Sequence, residues 1–298
     1  MIFYSPLRYP GGKNKLAKFI AKICERNNIN GHYIEPYAGG ASVALNLLLE
    51  GYVSEITIND KNRAIYAFWY SVVHRPEELV KLIQATRINI STWKKQREIL
   101  RNKESEPLLS LGFATFFLNR TNVSGILNGG PIGNINQTGA YKLNCRFNKK
   151  VLIERIRRIA NFKNRIHVEC MDAIDLAKKI QKEAKNGNSI FYFDPPYYLK
   201  GESLYMNHYE KDDHIAVGEA IKNIKSVQWI VSYDDHPEIR KIYSNFRKKP
   251  HELIHSARGP RIGKEIIFFS HELLVPRKIY TYILWTKKKS GKNKSRKN

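Results

Sequence analysis

The chain has 298 residues, 42% of them hydrophobic and 26% charged, an ordinary balance for a globular protein that excludes wholesale disorder and fibrous repeats. Its charge is not ordinary: 51 Lys and Arg stand against 27 Asp and Glu, and the resulting +24 points to a polyanionic partner, nucleic acid first. Cys24, Cys145 and Cys170 are far apart without CxxC spacing, no HExxH or His-carboxylate cluster occurs, and there is neither a secretion leader nor an apolar run of membrane length. A cytoplasmic protein with no metal, no disulfide framework and no membrane span is therefore expected.

In chain order, LRYPGGKNKLAKFI (7–20) places the flexible Gly11-Gly12 turn before a helix over 13–27, with Lys13 at its start, in reach of a carboxylate or phosphate. It is not a Walker A motif, because the upstream Gly is missing and Asn14 follows the Lys. HYIE (32–35) reads as a strand that runs into EPYAGGAS, where the Gly39-Gly40 turn lets a ligand approach the backbone ahead of an apolar helix over 42–49. The next strand, EITIND (55–60), ends on Asp60, at the spacing from Gly40 where nucleotide-type folds set an acid against ribose hydroxyls. GxGxxG is absent, so an adenosine-containing ligand without a pyrophosphate fits better than a dinucleotide.

Residues 61–165 break the alternation of strand and helix. They begin with helical patterns and pass into LNRTNVSGILNGGPIGNINQTGAYKLNCRFNKK (118–150), which reads as a long polar loop or small hairpin, before a helix over 151–160; the whole is expected to be an inserted smaller domain. Nine Lys or Arg against one Glu between Lys142 and Arg165, with Tyr141 and Phe147 interleaved, make this insert the candidate nucleic-acid surface. Asn119, Arg120, Asn122, Lys142, Arg146 and Lys149 are its candidate contacts, since Asn and Arg read purine edges and Arg and Lys hold phosphates. Strands then follow at 166–170, 189–194 and 227–233, and HELIHSARGPRIGKEIIFFS (251–270) reads as a hairpin. The fold class is thus α/β: a mostly parallel, Rossmann-like sheet with an antiparallel edge hairpin, built from 1–60 and 166–285, plus the insert and a basic, disordered tail at 286–298.

FYFDPPYY (191–198) is the sharpest motif. An apolar strand stopped by Pro195 and Pro196 puts Asp194 at the carboxyl edge of the sheet, where ligands of open α/β folds bind. The Pro195 carbonyl is a rigid acceptor, and Tyr197 and Tyr198 offer faces on which a base can stack.

The order RYPGGK, IEPYAGGAS, an acid after the second strand, a polar insert with LNRTNVSGILNGGPIG, and FDPPYY resembles the Dam-type (D12 class) DNA adenine N6-methyltransferases over about residues 6–270. The resemblance implies S-adenosyl-L-methionine as methyl donor and double-stranded DNA as partner, with a flipped adenine as the methyl acceptor. It assigns cofactor contacts to Tyr9, Lys13, Glu35, Pro36, Gly39, Gly40, Asp60 (ribose), Asp172 (adenine) and Asp194, and catalysis to Asp194, Pro195, Pro196 and Tyr197, with Tyr197 stacking on the target base. Residues 61–165 resemble the target-recognition domain. Tyr37 and Ala38 depart from the small residue or Phe common in the family's first loop. A cognate restriction endonuclease acting on the same site is an expected partner, and a monomer is expected because one target base needs one active site. Cytosine-N4 or RNA adenine methylation, or sequence-specific DNA binding without catalysis, are the alternatives.

Overall fold

A computed structural model describes residues 3–8, 13–183, 188–198, 209–255 and 261–277. Tyr9, the Gly11-Gly12 turn and the basic tail at 286–298 lie outside the described residues. Among them, a seven-stranded sheet is ordered β3-β2-β1-β4-β5-β7-β6. Its strands are β1 (His32–Glu35), β2 (Glu55–Asn59), β3 (Ile166–Glu169), β4 (Ser189–Phe193), β5 (Gln228–Asp234), β6 (Arg247–His255) and β7 (Arg261–Phe269). The first five pair in parallel, whereas β7 runs antiparallel to both β5 and β6, as the hairpin pattern predicts.

Strand alternation sorts the apolar residues onto two faces. Tyr33, Ile190, Tyr192, Ile230, Ile267 and Phe269 face one core, which is closed by α1 (Ala17–Arg26) and α2 (Ser42–Leu49) together with the inserted helices. Ile34, Phe191, Phe193, Trp229, Val231, Tyr233 and Phe268 face the other, closed by α8 (Ala173–Glu183), α9 (Lys211–Lys222) and α10 (Pro237–Ile242). With both faces covered, the central strands carry near-continuous apolar runs, which is why they were legible.

The insert is more helical than its composition suggests. It supplies α3 (Arg63–His74), α4 (Pro76–Ala85), α5 (Ile90–Arg101), α6 (Leu108–Thr121) and α7 (Lys149–Ala160). No break in packing separates these helices from the sheet: Phe68, Trp69, Val72, Phe116 and Phe117 are fully buried in the same core as Ile56 and Ile190, and the Phe68 and Phe116 rings stack at 5.8 Å. Its longest stretch without α-helix is 122–148, where a short 3-10 turn at Val123–Gly125 and one isolated bridge between Asn122 and Pro131 stand instead of a hairpin.

The sheet order reverses at β1, whose neighbours are β2 and β4. Ligand crevices of open α/β sheets form at such a switch point, outside the carboxyl ends of the strands. Glu35, Asp60, Asp172 and Asp194 sit at or just beyond the carboxyl ends of β1, β2, β3 and β4 respectively.

Candidate active site

The strand-end acids meet. Lys13, Glu35, Gly40, Asp60, Asp172 and Asp194 line one cavity of about 800 Å³, together with Tyr37, Ala38, Ile174, Tyr192, Pro196 and Tyr209. That volume lies in the upper part of the range for small-molecule sites, with room for a nucleoside-sized ligand and a second ring.

The first loop is tied down by buried side chains. Gly39 adopts φ +47°, a left-handed conformation that favours glycine, and its N–H donates to Asp60 Oδ2 at 3.0 Å while its carbonyl accepts from Trp69 Nε1 at 2.8 Å. Asp60 Oδ1 accepts from Asn62 N–H, so this carboxylate joins the turn after β1 to the start of α3. Burial pushes Asp60 up to about 6, against those two backbone donors. Asn59, fully buried, donates from its amide to the Pro36 and Met171 carbonyls and accepts from Met171 N–H, which locks the loops after β1 and β3 together. Asp172 caps α8 through Ile174 N–H and pairs with Lys61 at 3.1 Å.

Glu35 is 4% exposed, and its Oε1 accepts from Tyr33 hydroxyl and Ala44 N–H, both at 3.0 Å. It thereby satisfies the N-terminus of α2, whose flanking Ala41 has no side chain to do so. Burial pushes Glu35 up to about 8, and the nearby Asp194 charge adds to the rise.

The centre of the site is an ammonium group shared between acids. Lys13, 3% exposed, donates from Nζ to Glu265 Oε1 at 2.6 Å and to Tyr197 hydroxyl at 2.9 Å, and lies 3.3 Å from Asp194 Oδ1. Tyr197 hydroxyl in turn donates to Glu265 Oε1. Ser232 hydroxyl donates to Asp194 Oδ1 at 2.7 Å and is itself bonded to Tyr192 hydroxyl at 2.8 Å. Burial works against the Lys13 charge, but Asp194 and Glu265 more than offset it and hold the group protonated. Burial pushes Asp194 up to about 6, opposed by Lys13 and assisted by Glu265. With Oδ1 engaged by Ser232 and Lys13, Oδ2 is the oxygen left for a ligand in the cavity.

A second charged group lines the same cavity: Arg8, Arg120 and Arg155. Burial, then the charges of Arg8, Arg155 and Arg146, push Arg120 down to about 10, the signature of guanidinium groups gathered without a compensating acid. The cavity wall thus combines an acidic zone with a cationic one.

Several expected site residues are placed differently. Tyr197 is 3% exposed, with its hydroxyl turned inward to Lys13 and Glu265, so it braces the site instead of presenting a stacking face; Pro196 beside it lines the cavity. Tyr198 stacks on His236 at 4.2 Å, and Pro36 is buried beneath the loop. Asn119 and Asn122 cannot read bases, because their amides are spent inside the protein. Asn119 bonds both N–H and carbonyl of Arg8 at 2.7 Å and the Gly125 carbonyl, whereas Asn122 accepts from Trp93 Nε1 and donates to the Ile126 and Leu127 carbonyls. An irregular loop packed on a helix end needs such partners for its backbone. Lys149 caps the end of α4 through the Gln84 and Thr86 carbonyls, while Lys142 and Arg146 are exposed. The sequence reading missed Glu265, Ser232, Asn59, Arg8 and Arg155. Only Glu265 carried a signal, as an acid that alternates with Ile267 and Phe269 in a strand buried on both faces.

A switch-point cavity with an acid at each flanking strand end defines the class: an α/β protein that takes a nucleoside-type ligand beside a polar reaction centre. The chain belongs to the D12 class N6 adenine-specific DNA methyltransferase family, whose model matches residues 9–256. It is 23% identical over 222 residues to the type II methyltransferase M.MjaIII of Methanocaldococcus jannaschii, covering 70% of this chain and 73% of that protein. Among solved structures it is similar to a SAM-dependent methyltransferase from Agrobacterium tumefaciens (TM-score 0.41, 9% identity), covering 87% of this chain and 62% of that one. It is also similar to the rRNA methyltransferase aviRa of Streptomyces viridochromogenes (TM-score 0.37, 12% identity), covering 88% and 85%.

Lys13→Met would leave Asp194 and Glu265 facing each other in a buried site. Stability at pH 8 should fall by about 3–5 kcal/mol, the usual cost of removing one partner of a buried pair. Without the ammonium the Asp194 carboxyl rises above about 6. The folded variant then holds a proton that the unfolded chain releases, so its stability declines as pH rises and the deficit narrows at pH 5. Denaturant titrations at both pH values check this; an equal deficit at each would contradict the shared-ammonium arrangement.

Proposed function

We propose that this protein transfers a methyl group from S-adenosyl-L-methionine to N6 of an adenine flipped out of double-stranded DNA. The observation that carries the reading is Asp194: one carboxylate oxygen is tied within the protein by Ser232 and Lys13, the other is left to the cavity, and the rigid Pro195 carbonyl follows at once.

The cavity suits the cofactor. Glu35, Asp60, Asp172 and Asp194 form its acidic wall, Gly40 permits close backbone approach, and Ile174 and Tyr37 supply apolar surface for a ring. When bound, S-adenosyl-L-methionine supplies an electrophilic methyl group on a sulfonium cation. The aspartates of that wall complement the positive charge. In this reading Asp60 holds the ribose, Asp172 lies toward the adenosine ring, and Glu35 with the Gly39-Gly40 turn frames the amino-acid portion.

The adenine amino lone pair is delocalised into the ring, so the protein must localise it. Asp194 Oδ2 and the Pro195 carbonyl accept one N–H each, which favours a pyramidal nitrogen with its lone pair directed at the methyl group. Transfer is then a single in-line displacement with no covalent enzyme intermediate. Asp194 is also the base placed to receive the proton that the methylated amino group sheds. The base must leave the duplex to reach this point, at a cost of a few kcal/mol. Pro196 and Phe3, both lining the cavity, give the flipped ring apolar surfaces.

The irregular segment at 122–148 serves as the recognition element in this reading, with Arg8, Arg120 and Arg155 meeting phosphates near the flipped base and Arg146 and Lys142 doing so further out. Monomeric action, and a restriction endonuclease sharing the recognition site, belong to the same proposal.

Duplex DNA incubated with the protein and isotopically labelled S-adenosyl-L-methionine should yield labelled N6-methyladenine by nucleoside mass spectrometry. Asp194→Ala should yield none while still binding DNA. Label in N4-methylcytosine, or methylation by Asp194→Ala at the wild-type rate, would refute the proposal. Arg146→Ala should lower the slope of log affinity against log salt by about 0.9, the contribution of one neutralised phosphate. An unchanged slope would remove Arg146 from the DNA surface.

A further inference from the structure

Glu265 has no place in the chemistry set out above, yet it is one of the most thoroughly buried charged residues described. It lies within β7, its side chain is 1% exposed, and Oε2 is buried without a hydrogen-bond partner among the described residues. A buried carboxylate with its ammonium partner is expensive to keep, and well-packed apolar residues in place of the whole pair would serve the fold as well. Its geometry relates it to the reacting oxygen. The Lys13 ammonium lies at 2.6 Å from Glu265 and at 3.3 Å from Asp194, so it is drawn away from Asp194. Its three N–H groups face three acceptors, Glu265, Tyr197 and Asp194, which fixes its rotation.

We propose that Glu265 is a positioning residue for methyl transfer: it anchors Lys13 and Tyr197 and cancels the ammonium charge, so that Asp194 meets the amino group as an undiminished carboxylate with Oδ2 free. This rests on the reading of Asp194 as the acceptor of the target N–H. Without Glu265, Lys13 would close on Asp194 as a neutral pair and compete with the substrate for its oxygens, and Tyr197 would lose the acceptor that turns its hydroxyl inward. The groups around the Glu265 carboxylate are Lys13 from the N-terminal segment, Tyr197 after β4, and Asp194 and Tyr192 on β4 or its end. Asp234 on β5 and His251 on β6 are its cross-strand partners.

The test is E265Q, nearly isosteric and uncharged, with E265D beside it. E265Q should lower kcat about 10–100-fold, as loss of an outer positioning partner does at other sites, with KM for S-adenosyl-L-methionine changed less than about threefold. The acidic limb of its kcat profile should move down by about one pH unit, because losing a neighbouring negative charge and gaining a closer Lys13 both favour ionised Asp194. E265D should be intermediate in rate and limb. A merely structural role would lower kcat or thermal stability and leave the limb in place, and that result overturns the proposal, as does an unchanged kcat. If E265Q does not fold, a wild-type limb in E265D with reduced kcat has the same force. Failure of the underlying reading is distinct, since the wild-type protein would then make no N6-methyladenine.

Discussion

The arrangement of the active site depends on one buried ammonium. Lys13 comes from the N-terminal segment, Asp194 and Tyr197 from the turn that ends β4, and Glu265 from the antiparallel β7, so one side chain ties together three separate stretches of chain. One cation between two carboxylates leaves a net negative charge in a low-dielectric pocket, and Asp194 is where that charge faces the cavity. Such a cluster is worth little as a source of stability. Its value is in orientation: each oxygen of Asp194 has a separate task, which Ser232 and Lys13 assign by occupying the other one.

The sheet explains why these parts converge. The switch at β1 opens a crevice between β1 and β4, and the chain ends both of these strands with an acid followed by Pro, Glu35-Pro36 and Asp194-Pro195. Asn59 and Asp60 then bind neighbouring loops to one another, so the cavity wall after β1 and β2 is fixed by hydrogen bonds within the protein. The inserted helices are not an appendage, since Trp69 of α3 bonds the carbonyl of Gly39 in that same first loop. Helices anchored this way share the rigidity of that loop.

What could be read from the sequence follows the same physics. The strand-end acids were legible because strands buried on both faces are apolar runs that stop abruptly, and the stop is where chemistry is exposed. The sequence places Lys13 in reach of a carboxylate or a phosphate; that it meets two carboxylates is not legible there, because the second comes from a strand more than 250 residues away in the chain. The polar insert misled in a different way. A count of basic residues reports that a surface is cationic without saying which side chains form it, so Asn119, Asn122 and Lys149, which brace backbone carbonyls, are indistinguishable from Arg146, which faces solvent, and from Lys142, which is exposed while donating to the Gln137 carbonyl. The motif alone makes Tyr197 a stacking residue, whereas the direction of its hydroxyl is set by Glu265, remote in sequence.

The most direct test of this account is a crystal structure of the protein with S-adenosylhomocysteine and a duplex containing its recognition site. The account predicts an adenine rotated out of the helix, its N6 within about 3 Å of both Asp194 Oδ2 and the Pro195 carbonyl, and Lys13 still held on the Oδ1 side between Asp194 and Glu265. An adenine left stacked in the duplex, or an N6 that faces Lys13 instead of Asp194 Oδ2, would contradict it.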